Sequence, residues 1–345
     1  MMTPAHKTIL EAFENYLRSS PLPSRVRAGA SENTVRGYLH DTGGFLAWWK
    51  QTEGNDLTTE LLRRDPFALN KKIAQDYVAH LERRKVAVGT ILRKVASLRA
   101  FTRVLRDRKI IEHEPINGMR LPTKIEPEPR GLSDSDRSRF EAVFQHPWLG
   151  RIPKRKRTDD VEKNVLEDAA NRLVRDRAIV FLMMYAGPRV EETFNLNVGD
   201  IDLKEKSGSL YIRKGKGLRE RKTSIPLPAR KALQKWLDVR EELGFGNGKD
   251  TPLFITLRGK PGERFAIRSM QNMVTESGKR ARLEEPVTPH ILRHTCAFML
   301  RQAGVDIETR AKMLGHSIET ASKYGAPGAS EIEKAAALLD HAEAA

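Results

Sequence analysis

Residues 290–324 read HILRHTCAFMLRQAGVDIETRAKMLGHSIETASKY, and the rest of the chain is interpreted outward from them. His290 and Arg293 stand three positions apart, and His290 and His294 four. On a helix all three share one face. The run that follows carries Ala297, Leu300, Ala303 and Gly304 at helical spacing, which predicts an amphipathic helix capped by Gly304. Asp306, Ile307 and Glu308 open a second helix, and Gly315 ends it. His316 follows that stop at once, so it is expected at a helix terminus. Tyr324 comes eight residues later, just before the breaker-rich Gly325, Pro327 and Gly328. That position suits a side chain reaching a ligand better than one filling a core. Five polar residues able to converge on one phosphate, His290, Arg293, His294, His316 and Tyr324, thus lie within one short stretch.

Upstream, residues 171–186 form a strongly apolar helix that Gly187-Pro188 breaks. Proline fits the first helical turn, so Arg189 is expected to open the next helix, VEETFNL. The unpaired N–H groups there suit an anion. In SLYIRKGKGLRERKTSIPL, residues 209–227, two short strands flank a basic Gly-Lys-Gly turn, the pattern of a hairpin. Residues 229–243 and 268–280 read as helices, the latter basic. Residues 252–256 (PLFIT) read as a short strand or connector. After Tyr324, Ile332, Ala335, Ala336 and Leu339 mark a terminal amphipathic helix that must bury its face somewhere.

Residues 121–130 (LPTKIEPEPR) hold three prolines and are expected to link two domains, 1–124 and 125–345. Ser133 then caps a new helix, with Asp134 and Asp136 in its first turn. The basic run RIPKRKR, 151–157, fits a phosphate-facing loop and a solvated loop equally. Before the linker, helices are expected near 5–19, 31–50, 70–84 and 90–109, a helical bundle without a clear strand. The Gly43-Gly44 pair weakens the helical pattern of the second. In the fourth, Ile91, Val95, Leu98 and Leu105 form an apolar stripe, while Arg93, Lys94, Arg99, Arg103 and Arg106 lie largely off it. Such a face is either solvated or laid along a DNA backbone.

Composition narrows the class. The 345 residues are enough for two cores. Lys and Arg number 61 against 45 acids, a net charge of +16 that favours a polyanionic partner. No apolar run approaches the roughly 20 residues of a spanning helix, and no charged-then-apolar leader opens the chain. The single Cys296 excludes internal disulfides and CxxC metal sites. His290 and His294 have the spacing of a zinc pair, but Ile291 stands where the zincin pattern needs glutamate, so no metal is expected. A cytoplasmic, nucleoid-associated protein is the reading these features fit.

His-x-x-Arg-His, then Leu-Gly-His, then a tyrosine resembles the tyrosine recombinase (phage integrase) family. The resemblance runs from roughly residue 31 to 340 and is most specific over 290–324. SENTVRGYLHD and TILRKVASLRAFTRVL are also similar to that family's SAM-like core-binding domain. The resemblance implies a mainly α fold, with an N-terminal helical bundle and a mixed α/β catalytic domain carrying a small sheet. It implies Tyr324 as nucleophile, Arg189 and Arg293 clamping the phosphate, and His290 and His316 bonding it. Lys216 would protonate the leaving 5′-oxygen, with Lys214 and Lys222 as rivals. Glu192, at the family's acidic position, would orient a guanidinium or a histidine, and His294 would orient the helix or Glu192. The implied product is strand exchange through a 3′-phosphotyrosine, without metal or cofactor. The implied partners are double-stranded DNA with a specific site and further copies of the chain, a dimer on a site and a tetramer in synapsis, docked through the C-terminal helix. The missing extra N-terminal segment, about sixty residues in some relatives, argues against an arm-binding domain.

Two features depart from the family. Proline replaces the usual leucine after Gly187, and Tyr324 follows His316 by eight residues rather than nine. The same residues would also serve a type IB topoisomerase-like nicking-closing enzyme, or a DNA-binding regulator that never forms an adduct.

Overall fold

The structure, a computed structural model, describes residues 4–19, 32–123, 131–145, 159–213, 220–315, 317, 318 and 322. Lys216, His316, Tyr324, the 151–157 run and the terminal helix expected beyond 330 lie outside them. The chain divides into two compact units, Met1–Glu126 and Pro127–Ala345.

Among its described residues the first unit has helices and no strand: α1 (Pro4–Ser19), α2 (Glu32–Glu53), α3 (Thr59–Arg64), α4 (Lys71–Arg83) and α5 (Val88–Asp107). Their apolar stripes meet in one core containing Phe13, Phe45, Trp49, Tyr77, Leu98 and Phe101. The rings meet edge to face, Phe45 on Tyr77 at 5.1 Å and Phe13 on Phe101 at 5.5 Å, a geometry their quadrupoles favour. Helix α2, expected near 31–50, runs unbroken through the Gly43-Gly44 pair that weakens its helical pattern. A Cβ on Gly44 would make only ordinary contacts. The buried Phe45, Leu46 and Trp49 just beyond outweigh the intrinsic cost of about 1 kcal/mol per glycine. Asn70 and Thr58 cap α4 and α3 by accepting the N–H groups of Ile73 and Leu61.

The second unit adds α6 (Asp134–Ala142), α7 (Asp159–Tyr185), α8 (Val190–Asn195), β1 (Ile201–Leu203), β2 (Gly208–Ile212), β3 (Arg221–Ser224), α9 (Leu227–Glu242), α10 (Ile267–Arg280), α11 (Pro289–Gln302) and α12 (Ile307–Leu314). Helix α7 starts well before the apolar run and extends it to 27 residues. Residues 178–184 are buried throughout, making α7 the centre of the unit, packed on by α9 and α11. The strands form an antiparallel sheet in the order β1-β2-β3, with Leu210 opposite both Ile201 and Thr223. The hairpin is as expected, but β1 adds an edge too short to show a period-two pattern. Trp236 and the buried Arg240 on α9 donate to the main-chain carbonyls of Pro252 and Leu253, fastening the 252–255 strip. The first residues after the linker seat on α11: Leu132 N–H donates to Thr295 Oγ1 at 2.9 Å, and a Cβ on Gly131 would lie 2.9 Å from the Thr295 Cα.

Candidate active site

Three turns converge: the α7–α8 junction, the start of β3 and the C-terminal end of α12. Gly187 adopts φ +69, where an added Cβ would fall 2.4 Å from Leu314 Cδ2. Only glycine satisfies both demands. Pro188 then precedes the helix rather than starting it: α8 begins at Val190 and Arg189 is its N-cap, extended at φ −71, ψ 156. This corrects the expectation that Pro188 occupies the first turn. The reason is Glu192, whose carboxylate accepts the Arg189 N–H at 2.8 Å and fixes the cap one residue later.

Glu192 is buried and organises the centre. Arg189 Nη1 donates to it at 2.9 Å. Arg221, at the start of β3, grips both its oxygens at 2.9 and 2.8 Å in a planar fork. Arg293 Nη1 lies 3.9 Å away. Burial pushes the Glu192 carboxyl up, but Arg221 and the Arg189 N–H and guanidinium outweigh it and hold its pKa at about 2. The carboxylate therefore stays ionised, and three guanidiniums against one carboxylate leave an excess of positive charge.

The same arginines take three successive carbonyls at the end of α12. Arg221 Nε donates to Met313 O at 3.3 Å, Arg293 Nη2 to Leu314 O, and Arg189 Nη2 to Gly315 O at 3.0 Å. These are the orphan, partly negative groups of a helix C-terminus, to which cations are naturally drawn. Gly315 closes α12 in the left-handed conformation, as expected, with Asp306 as N-cap. Gly304 has φ +74 just beyond α11, whose last cap is Ala303, so the turn is as expected but displaced by one residue.

His290 lies in the first turn of α11, behind N-cap Thr288 and Pro289. It stands with Arg189 and Arg293 on the wall of a cleft of about 840 Å³. Arg293 is itself 1% exposed and also donates to Gly187 O. His294 stacks on His290 with ring centroids 5.7 Å apart. Partial desolvation against the cleft wall lowers the His290 pKa, and the Arg293 and Arg189 charges lower it further. His294 is lowered by burial and then by His290 and Arg293. Both rings are therefore neutral near pH 7. Buried Cys296 packs behind Gly187, and burial pushes its thiol up to about 12, so it is inert filling.

The described part of the site thus brings Arg189, Glu192, His290, Arg293 and His294 together. It also adds Arg221, which sequence reasoning missed. Its signal was faint: Arg221, Thr223 and Ile225 alternate inward along β3, while Lys222 and Ser224 are exposed. In the first unit, Arg93 and Lys94 both pair with the buried Asp41 of α2, Lys94 at 3.1 Å, and Arg106 pairs with Glu114 at 3.0 Å. Arg99 is exposed and Arg103 half-buried.

Comparison with known proteins agrees with this architecture. The model of the phage integrase family matches residues 156–330, and that of the phage integrase N-terminal SAM-like domain matches 10–109. The chain belongs to the phage integrase family and is a DNA strand-transferring enzyme of the tyrosine recombinase class. Among its relatives, the tyrosine recombinase XerC of Syntrophus aciditrophicus is 30% identical over 325 residues, 92% of each chain. The tyrosine recombinase XerD of Bifidobacterium longum is 27% identical over 303 residues, 86% of this chain and 87% of that one. Similar solved structures include the XerH site-specific recombinase bound to its difH substrate, at TM-score 0.63 and 17% identity over 98% of each chain. A lambda integrase dimer bound to a COC' core site is similar at TM-score 0.63 and 15% identity, over 92% of this chain and 94% of that one. At such identities these structures speak for the fold.

Proposed function

We propose that this chain cuts and rejoins DNA at a specific site through a covalent 3′-phosphotyrosine. The observation that carries the reading is the cationic cluster on Glu192, with His290 beside it at the cleft. Arg189 and Arg293 hold the non-bridging oxygens of the scissile phosphate, and their charge stabilises the additional negative charge of the transition state. His290 and His316 hydrogen-bond the same phosphate and assist proton transfer. The Tyr324 hydroxyl attacks phosphorus and passes its proton to one of these histidines; the bond to the 5′-oxygen breaks, and Lys216 protonates that oxygen. Attack by a second 5′-hydroxyl reverses the steps and releases the tyrosine. The phosphate bond energy is conserved throughout, and no metal or cofactor takes part. The outward side chain of Lys222 supports Lys216 or Lys214 as the acid. Glu192 keeps the guanidiniums aimed, and His294 braces His290 from behind.

Residues 1–124 act as the core-binding domain and 125–345 as the catalytic one. Arg99 and Arg103 meet the DNA backbone, joined by Arg93, Lys94 and Arg106, whose acid partners hold them in place. Copies of the chain pair on a site and form a tetramer in synapsis through the C-terminal helix. The place of action is the cytoplasmic nucleoid.

Covalent trapping tests the reading. Duplexes enriched from a random pool by binding to the full chain would carry a nick at each successive position. They would be incubated with the protein in EDTA and run on a denaturing gel. A protein–DNA adduct is expected from the wild type, none from Tyr324→Phe, and a strongly reduced one from Arg293→Ala. Binding without adduct at any nick would overturn the reading in favour of a DNA-binding regulator. Relaxation of supercoiled plasmid lacking the enriched sequence would favour a nicking-closing enzyme.

A further inference from the structure

Among the described residues of the cluster, Arg221 joins β3 to Glu192 and to the end of α12 and is not part of the cleft wall. Its guanidinium grips both oxygens of Glu192, which in turn fixes the Arg189 backbone and side chain. Its Nε reaches Met313 O, within the three carbonyls that end α12. The approach to α12 is so close that a Cβ on Gly315 would lie 2.7 Å from Arg221 Nη1. Arg221 also sits at the foot of β3, two positions after the stretch 214–219 that contains Lys216, and His316 is the residue after Gly315. The other foot of the hairpin is tied separately, by Arg213 to Asp200 at 2.8 Å. The Arg221 side chain is 9% exposed and is held by protein acceptors.

We propose that Arg221 is a positioning residue for strand transfer, tying the foot of the lysine-bearing hairpin, the Glu192–Arg189 clamp and the end of α12 into one register. The assignment rests on the strand-transfer function proposed above. A planar fork with a third donor is needed, because one group must satisfy two carboxylate oxygens and a carbonyl in fixed directions. Lysine supplies a point charge and not that geometry. Loss of the tie lets the clamp, the hairpin and α12 drift relative to one another, and misplacement of reacting groups by about 1 Å costs roughly 100-fold in rate.

The test uses the full chain and the nicked duplex that gives most adduct with the wild type. Single-turnover adduct formation, DNA affinity and circular dichroism would be measured for Arg221→Ala, Arg221→Lys and the wild type. DNA affinity is expected within about threefold of wild type and the adduct rate down roughly 100-fold in the alanine variant, with part of the rate restored by lysine. A second readout is the pH profile. Without Arg221, burial pushes the Glu192 carboxyl up, so the alanine variant's rate should fall in mild acid more steeply than the wild type's. A residue that only stabilises the fold would lower the melting temperature and leave the profile and the folded fraction's rate unchanged. That outcome overturns the assignment. If the alanine variant does not fold, the lysine variant decides: a wild-type rate overturns the proposal, and a loss of tenfold or more with affinity kept sustains it. If the wild type itself yields no adduct at any nick, the strand-transfer reading falls and this assignment with it.

Discussion

At the scale of the residue, His290 has two environments. Without DNA it faces Arg189 and Arg293, and its pKa lies below the ordinary histidine value. The histidine pair is then a linkage element: its neutral form lends stability at neutral pH that is lost as pH falls below the unfolded value of about 6.5. A phosphodiester in the cleft would place an anion beside His290, whose pKa is now lowered by the charges of Arg293 and Arg189, and so would raise it. DNA binding at about pH 6 should therefore take up protons. Calorimetry in buffers of different ionisation enthalpy should detect the uptake, and His290→Asn should abolish most of it. Zero uptake in the wild type would remove His290 from the phosphate. That His290, Arg293 and His294 share a face was legible from spacing alone. The company of Arg221 was not, because 213–222 is crowded with cations and only tertiary packing selects which one meets Glu192.

At the scale of the element, helix boundaries were legible where capping chemistry is explicit. Asp306 and Gly315 bracket α12, and Ser133 caps α6. Elements whose formation depends on packing were harder. Helix α2 passes through two glycines because of what it buries on either side, and β1 exists because β2 lies beside it. Arg189 shifted from first helical residue to cap because a carboxylate three residues on reached back to its N–H. The α7–α8 junction is the seat of α12. Gly187→Ala should destabilise the second unit by about 1–3 kcal/mol, through the positive φ and the clash with Leu314. Denaturant unfolding measures this, and an unchanged midpoint would show that Leu314 moves aside at no cost. DNA affinity per folded molecule should fall less than the adduct rate, since α12 ends beside His316.

At the scale of the whole molecule, the charge of +16 governs the approach to DNA. Part of the basic surface is internally committed, as Arg93 and Lys94 are to Asp41. Counting cations in the sequence therefore overstates what is left to neutralise phosphates. Log affinity should fall linearly with log salt; about 6–10 phosphate contacts would cost roughly 10³–10⁵ between 50 and 200 mM. Arg99→Ala and Arg103→Ala should each flatten the slope by about one contact, while Arg93→Ala should flatten it less and destabilise the first unit by leaving Asp41 under-neutralised. Equal slopes for all three variants and the wild type would take α5 off the DNA.

The three carbonyls that close α12, each met by a different arginine, bear on how such a site tolerates change. Removing one arginine strands a carbonyl and leaves Glu192 with less charge to face, so the penalty exceeds that of the lost contact. Removing Glu192 together with Arg221 strands less than removing either alone. A survey of single substitutions would mark every member as indispensable, although the requirement belongs to the set. Relatives that diverge here are thus expected to have changed by coordinated replacement, with neutral paths running through doubles rather than singles.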